Sequence, residues 1–450
     1  MRMGGGTTMP GRVARAIEPR VVPTLAGRLR HGTMVVTGTN GKTTTSRLVA
    51  HILEHAGLVP IHNRAGANLA AGIAAALVEH ATLGGVPRGD VGVFEVDEAT
   101  LPRVVDGLRP RAVILTNLFR DQLDRYGEID LVAAGWRQTV SVLPASATVI
   151  LNADDPLVAD VAGAVRAGGA EVLAFGVEDP ACGLGAGEGG APPEHTAEAR
   201  YCYRCGRPYL YTTVYYGHMG HYRCSGCDAA RPAPQVVARE VRLRGIEGTR
   251  FLLEGPGAAF AVRTVLPGLY NVYNILAACA CCLAMGVAPE TVERAVENFT
   301  PAFGRAEQMR IDGREAVMLL AKNPAGFNEV LRTVLRSGEA PVVLIAINDL
   351  TADGRDISWL WDVDFEMLAG RAQAVVDTGI RGEDMALRLK YAGVAEERVL
   401  LEKDWERALR AALERVPEDK RLFILPTYTA MLHLRGILQR LGVVEGFWRQ

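Results

Sequence analysis

The chain has 450 residues, 49 Lys and Arg against 51 Asp and Glu, and a formal net charge of −2. That balance excludes the basic excess of a dedicated nucleic-acid binder, and 49% hydrophobic with 22% charged residues excludes an extended disordered chain. At about 100–200 residues per domain, the length implies two or three domains with cores of their own.

Among the basic residues only Lys42, Lys322, Lys390, Lys403 and Lys420 are lysines, so a lysine kept inside a motif stands out. The basic N-terminus lacks the apolar run of a signal peptide. The longest apolar stretch, Val272 to Val287, is interrupted by Asn274 and is too short for a bilayer. Eight cysteines are too few for a disulfide scaffold, so a reducing cytoplasm is expected.

In chain order, TMVVTG (33–38) reads as a buried strand and Lys42 to His55 as a helix closed by Gly57. VGVFEVD (91–97), AVILTN (112–117), ATVILNAD (147–154) and EVLAFG (171–176) read as further strands between helix-length segments. That alternation predicts a parallel α/β sheet, whose ligands bind beyond the strand C-termini. A Gly/Pro-rich passage leads into a Cys/Tyr-rich insertion at about 200–231, followed by strand-like VRLRGIE, TRFLLEGP and AFAVRTVLPG. An Ala-rich helix spans about Asn271 to Met285, and FTPAFGRAE reads as an interdomain linker. From about Glu315 a second α/β unit is expected, with strands at 342–349, 372–379, 397–402 and 421–429. The expected domains are 1–302 and 303–450.

The segment GTNGKTT lies between a β-branched strand and a helix, the setting of a phosphate-binding P-loop. Gly38, Thr39, Asn40, Gly41, Lys42, Thr43 and Thr44 are its candidate nucleotide contacts. Glycines let backbone N–H groups wrap phosphates, and the helix N-terminus adds partial positive charge. Lys42 would offset β/γ-phosphate charge and the Thr43 hydroxyl would ligate Mg²⁺. Glu95 and Asp97, on one face of the next strand, are placed to hold Mg²⁺, with a helix N-cap cluster as the structural alternative. Asn117, Asp121, Asp124 and Arg125 follow the third strand. Asn152, Asp154 and Asp155 follow the fourth, where an adenosine could be read.

The spacing C-x₂-C-x₁₈-C-x₂-C at Cys202, Cys205, Cys224 and Cys227 matches a structural zinc site, since four thiolates leave no open coordination position. His218 and His221 read as surface residues rather than substitute ligands. Cys279, Cys281 and Cys282 read as core.

These motifs, with DQLDR, GLYNVYN (268–274) and FGRAE (303–307), recur in this order in the Mur ligase superfamily of ATP-dependent C–N ligases. The chain resembles that superfamily from about residue 33 to 330. More narrowly, the four-Cys insertion, AKNPAGFNE (321–329), DGRDISWLWDVDFE (353–366) and LPTYTAML (425–432) are similar to the MurT family. Its members are synthetase subunits of lipid II isoglutaminyl synthase.

The resemblance implies a P-loop Mur ligase central domain with an inserted Cys₄ zinc ribbon, plus a C-terminal Rossmann-like α/β domain. It implies ATP, Mg²⁺ and Zn²⁺ as cofactors, with Asn271, Asn274, Arg305 and Lys322 joining Asn152 and Asp154 around the nucleotide. The implied reaction phosphorylates the D-glutamate α-carboxyl of the lipid II stem peptide, and ammonia then attacks to give D-isoglutamine for peptidoglycan. Glu95 would serve this chemistry through Mg²⁺, and the NRAGAN loop (63–68) offers Asn63, Arg64 and Asn68 to the acceptor. Ammonia would come from a GatD-like glutaminase partner, whose Cys–His pair is completed by Asp353 or Asp356 of the DGRD loop. The expected location is cytoplasmic, peripheral to the membrane through a lipid-linked substrate, with no nucleic-acid partner.

Four departures from the general Mur pattern bear on this. A P-loop near residue 40 leaves no room for a UDP-sugar domain, which favours a lipid-linked acceptor. Gln122 stands where many relatives place a metal-binding His. The lysine-free stretch from 43 to 321 removes their carbamylated lysine, and Leu319 occupies the place of their ribose-reading Asp. The main alternative is an amino-acid-adding ligase of the Mur or folylpolyglutamate synthase kind, which typically lacks the Cys₄ insertion and the DGRDISW segment. An ATP-gated zinc-ribbon module binding nucleic acid through Arg200, Arg204, Arg207 and Arg223 is disfavoured by the neutral charge.

Overall fold

The computed structural model describes residues 8–63, 66–120, 129–187, 190–192, 198–300, 305–336, 338 and 340–444. The first strands are β1 Thr33–Thr37, β2 Pro60–His62, β3 Val91–Glu95, β4 Ala112–Leu115, β5 Thr148–Asn152 and β6 Glu171–Val177. A two-stranded hairpin, β7 Tyr209–Tyr216 and β8 Met219–Cys224, is inserted before β9 Val236–Leu243, β10 Thr249–Gly255 and β11 Ala258–Thr264.

Among the described residues these form a nine-stranded sheet of order β11-β10-β9-β6-β5-β4-β1-β3-β2, in which β2 to β6 run parallel with β1. β1, β3 and β4 are buried along their whole length, as their near-continuous apolar runs require of strands covered on both faces. The helices Lys42–His55 and Leu269–Ala284 cover one face, with Leu48, Ile52, Val272 and Ile275 in one core. Leu101–Leu108, Ile129–Val140 and Val161–Gly168 cover the other face around Trp136. Cys279, Cys281 and Cys282 are fully buried in the first of these cores, and burial pushes their thiols up, so they act as apolar filling.

The chain leaves β1 for β2 and β3 on one side and then crosses to β4 on the other. This makes β1 the switch point of the sheet, and the crevice beyond its C-terminus is the place for a ligand.

A second sheet contains β12 Arg305–Ile311, β13 Arg314–Leu319, β14 Val342–Ala346, β15 Ala374–Thr378, β16 Val399–Leu401 and β17 Arg421–Pro426. Its order is β12-β13-β17-β14-β15-β16, parallel except for the β12/β13 hairpin. Here the structure corrects the sequence reading. Arg305–Glu307 of FGRAE begin a strand rather than ending a linker, ten residues before the unit was expected to start. The reason is the Asp312–Gly313 turn, with φ of 47° and 80°, whose double positive φ suits a tight hairpin. The expected boundary at 302/303 lies outside the described residues. Strand β2 also went unread, because three residues at a sheet edge carry no periodic signal. No helix of the described residues is long and apolar enough to cross a membrane.

Candidate active site

The P-loop occupies the β1 switch point, and two of its glycines are required by geometry. Gly38 has φ +136° and a Cβ there would lie 2.1 Å from Thr116 Oγ1; Gly41 has φ +86° and a Cβ would lie 2.0 Å from Asn274 Oδ1. The loop is braced from β4. Asn117 Oδ1 accepts the Asn40 N–H at 2.9 Å, Thr116 Oγ1 donates to Asn40 O at 2.9 Å, and Phe119 N–H donates to the Thr39 hydroxyl at 2.9 Å. Of these partners Asn117 is singled out from the sequence, whereas Thr116 and Phe119 beside it are not.

Lys42 is buried, with Nζ on the Gly38 carbonyl, 3.2 Å from Thr39 O and 3.0 Å from Glu98 Oε2. Its cation is therefore held inside the loop. Thr43 Oγ1 donates to Glu95 Oε2 at 2.8 Å, which joins the residue expected to ligate Mg²⁺ from the helix to the one expected from β3. Glu95 is only 5% exposed. A carboxylate and a hydroxyl oxygen side by side at a phosphate loop form the hard-oxygen donor set that suits Mg²⁺.

Strand β3 ends at Glu95, and Asp97 Oδ1 accepts from Ala99 N–H and Thr100 Oγ1 at 3.2 and 3.4 Å, closing the turn before the next helix. The one-face argument fails because the strand stops first. The neighbouring Glu98 pairs with Lys42.

The acceptor-side loop is similarly redistributed. Asn63 is buried; its amide donates to Ala67 O and Glu95 O at 2.8 Å each, and its oxygen accepts the Glu95 N–H at 2.9 Å. The side chain thus grips the end of β3 and leaves little for a substrate. Asn68 is half-buried and its carbonyl accepts the Asp97 N–H at 3.0 Å. Arg64, Asp121, Gln122, Asp124 and Arg125 lie outside the described residues.

Across from the P-loop, Asn323 caps the helix Pro324–Leu335 through Gly326 N–H at 2.9 Å. Its amide also donates to Asn40 Oδ1 at 2.9 Å, so the second sheet's first helix starts against the phosphate loop. Lys322 is half-buried next to this turn. Asn271 and Asn274 bond one another at 3.0 Å on the Leu269–Ala284 helix, behind Gly41. Arg305 opens β12.

The NADDP segment turns out to serve the insertion. Asn152 donates to Thr116 O at 2.9 Å and faces Met219 Sδ at 3.6 Å. Asp154 is wholly buried, with its oxygens taken by Arg231 Nε at 2.6 Å, Tyr273 OH at 2.7 Å and Val177 N–H at 2.8 Å. These two side chains, read from sequence as nucleotide contacts, bond to the end of β4, the end of β6, the helix Leu269–Ala284 and the segment that follows the hairpin. A carboxylate saturated by internal donors has little capacity left for a ribose.

The four cysteines converge: their sulfurs all lie within 4.8 Å of one another, with Cys202–Cys227 at 3.6 Å and Cys205–Cys224 at 3.4 Å. A tetrahedral site with Zn–S near about 2.3 Å needs sulfurs about 3.8 Å apart, whereas a disulfide needs about 2.05 Å. The donor set fits zinc. The histidines are not surface residues, contrary to the sequence reading. His218 is fully buried 3.4 Å from Asp155 Oδ1, and His221 Nε2 lies 2.9 Å from Val177 O, because the hairpin tip enters the core of the domain.

In the second sheet, Asp353 and Asp356 have opposite settings. Asp353 is buried, accepting from the Thr429 N–H at 2.8 Å and from the Thr429 hydroxyl; burial raises its carboxyl above the usual range while these bonds oppose the rise. Asp356 is exposed and accepts the Ser358 N–H at 2.8 Å, which lowers its carboxyl. Next to Thr429, Tyr428 places its hydroxyl 3.7 Å from where a Cβ on Gly66 would lie, so this corner overhangs the acceptor-side loop.

Comparison with known proteins decides the family. The MurT subunit of lipid II isoglutaminyl synthase (glutamine-hydrolyzing) from Staphylococcus aureus (strain N315) is 33% identical over 439 residues, 97% of this chain and 93% of that protein. The chain belongs to the MurT family. The corresponding subunit of Streptococcus pneumoniae (strain ATCC BAA-255 / R6) is 30% identical over 99% of this chain and 95% of its own length. A Mur ligase middle domain model matches residues 36–189, and a MurT ligase C-terminal model matches 320–431. The fold agrees with a pseudomurein peptide ligase type C from Methanothermus fervidus, with a TM-score of 0.66 at 22% identity, over 91% of this chain and 79% of that one. As a MurT-family member the chain is an ATP-dependent ligase, and its motifs already pointed to that family.

Proposed function

We propose that this chain amidates the α-carboxyl of D-glutamate in the lipid II stem peptide, with ATP as the activating substrate and ammonia as the nucleophile. The observation that carries the reading is the Thr43–Glu95 pair beside Lys42 at the switch point, in a chain that matches named MurT subunits over almost its whole length. A carboxylate is a poor electrophile, so one of its oxygens attacks the γ-phosphorus and ADP departs. Ammonia then attacks the acyl carbon, the C–O bond to phosphate breaks, and a proton is lost from nitrogen.

Lys42 offsets charge developing on the transferred phosphoryl group, and the P-loop N–H groups orient it. Thr43 and Glu95 would hold Mg²⁺, which when bound neutralises charge on the β/γ-phosphate oxygens. Cys202, Cys205, Cys224 and Cys227 would hold zinc as a structural brace. Gly38 to Thr44 contact the phosphates, with Asn271, Asn274, Arg305 and Lys322 around the remainder of the nucleotide. The acceptor lies towards the loop at 63–68, at the inner membrane face through its lipid.

Ammonia is supplied by a GatD-like glutaminase partner. One of the two DGRD carboxylates orients that partner's histidine: Asp353 is buried and fixed by Thr429, whereas Asp356 is exposed. Incubation with ATP, a lipid II analogue and ammonium, followed by mass spectrometry of the stem peptide, tests the amidation. Conversion of the D-glutamate to isoglutamine is expected, and turnover only with an added amino acid would refute it. With the partner present, Asp353→Asn should lose glutamine-driven but keep ammonium-driven amidation. Unchanged glutamine use in both Asp353→Asn and Asp356→Asn would remove this loop from the glutaminase.

A further inference from the structure

The inserted hairpin carries the four cysteines at one end and its turn at the other, separated by the eight-residue strand β7, or about 25 Å. Residues 203–207 beside the cysteines are exposed, but the tip is not: Tyr215, Tyr216, His218 and Met219 are all buried in the ATP-binding domain. A two-stranded hairpin is marginal by itself, so the position of such a tip depends on what is fixed at both ends.

Two separate routes run from the tip to the phosphate loop. The first is through rings. Phe119 stacks on Tyr216 at 5.8 Å and meets His218 at 4.5 Å, and its backbone N–H and C=O both bond the Thr39 hydroxyl, at 2.9 and 3.0 Å. The second is polar. His218 Nδ1 accepts the Glu198 N–H at 3.3 Å; Nε2 lies 3.4 Å from Asp155 Oδ1 as a close polar contact without a hydrogen bond, and Asp155 Oδ2 accepts the Leu118 N–H at 2.8 Å. Both routes end on Leu118–Phe119, the turn against which Thr39 is set.

We propose that the zinc ribbon is a positioning element for the nucleotide: its tip fixes the Leu118–Phe119 turn, the turn fixes Thr39, and metal at the four cysteines thereby sets nucleotide affinity. The inference rests on GTNGKTT being the nucleotide site. Metal binding at the outer end orders the hairpin because the thiolates leave the unfolded state only when the fold gathers them. Loss of metal frees the tip, and the P-loop then samples conformations that do not bind phosphate, so binding weakens without any nucleotide contact being altered.

The test titrates a fluorescent ATP analogue with Mg²⁺ into the full chain, zinc-loaded and after removal of zinc by a chelator. Phe119→Ala, Phe119→Leu, His218→Ala and Lys42→Ala are measured alongside, with zinc content and far-UV circular dichroism recorded for each. Zinc removal, Phe119→Ala and His218→Ala should each raise the analogue's Kd about tenfold, the scale of one aromatic pair, with secondary structure retained. The two Ala variants should keep their zinc, and Phe119→Leu should recover most of the affinity, which separates positioning from general damage. A folded zinc-free chain that binds with the zinc-loaded Kd overturns the proposal. So does global unfolding on zinc removal, since zinc would then be a staple for the whole chain. If a Phe119 variant does not fold, the comparison of loaded and zinc-free wild-type chain decides. Lys42→Ala distinguishes the two levels: if it too leaves binding unchanged, the assignment of the nucleotide site is what has failed.

Discussion

Replacing Asn63 by alanine separates two roles that the sequence merges. The structure ties this side chain to Ala67 O, Glu95 O and Glu95 N–H at 2.8, 2.8 and 2.9 Å, all in a buried setting. Asn63→Ala therefore leaves three backbone groups without that partner, two of them on Glu95. At about 1 kcal/mol per hydrogen bond the loss is about 3 kcal/mol, and in a protein of this size Tm should fall by about 3 °C. Glu95 also loses its registration against Thr43, so the Mg²⁺ concentration giving half-maximal turnover should rise about tenfold, equivalent to about 1.4 kcal/mol. Differential scanning fluorimetry and a Mg²⁺ titration of ADP release at saturating acceptor measure both. The acceptor KM should stay within about twofold, because the amide is spent on the backbone. A variant with wild-type Tm and Mg²⁺ dependence but a raised acceptor KM would refute this reasoning and restore Asn63 as a substrate contact.

Three further outcomes are expected. Gly41→Ala should reduce ATP turnover by at least about a hundredfold, because a Cβ would lie 2.0 Å from Asn274 Oδ1 in a left-handed backbone; the measurement is initial-rate ADP release. Tyr273→Phe removes the 2.7 Å bond to Asp154 and should destabilise by about 1–2 kcal/mol in urea unfolding while the nucleotide KM is unchanged. Asp377 is wholly buried and neither oxygen has a hydrogen-bond partner among the described residues, so burial pushes its carboxyl well above the usual range. Its contribution to stability is present below the unfolded pKa of about 3.9 and is lost as pH rises through the raised folded value. Asp377→Asn should therefore gain stability relative to wild type as pH increases, and a Tm difference that stays flat from pH 4 to pH 8 would contradict this.

How much was legible depends on how local the signal is. The strand–loop–helix at 33–55 could be read because a β-branched run, glycines, a lysine and helix formers lie next to one another. The Cys₄ set could be read because zinc ligation imposes spacing. The beginning of the second sheet was missed, since a hairpin turning on Asp312–Gly313 resembles a linker when its partner strand is unknown. His218 was misjudged for a related reason: a histidine after a glycine in a polar hairpin looks exposed, and only the docking of that hairpin buries it.

By itself, then, the sequence determined the family, the α/β class, the glycine-rich loop between strand and helix and the four-cysteine cluster, because each is written in adjacent residues or fixed intervals. Only the tertiary structure decided which polar residue does what. Glu98 meets Lys42, and Asn63 grips β3. Asp154 is held by Arg231, and Asp353 is buried on Thr429 while Asp356 is exposed and bonded to the Ser358 N–H. Hydrogen-bond capacity is finite, so an amide or carboxylate already occupied by the fold has little left for a ligand, and that occupancy depends on partners distant in the chain.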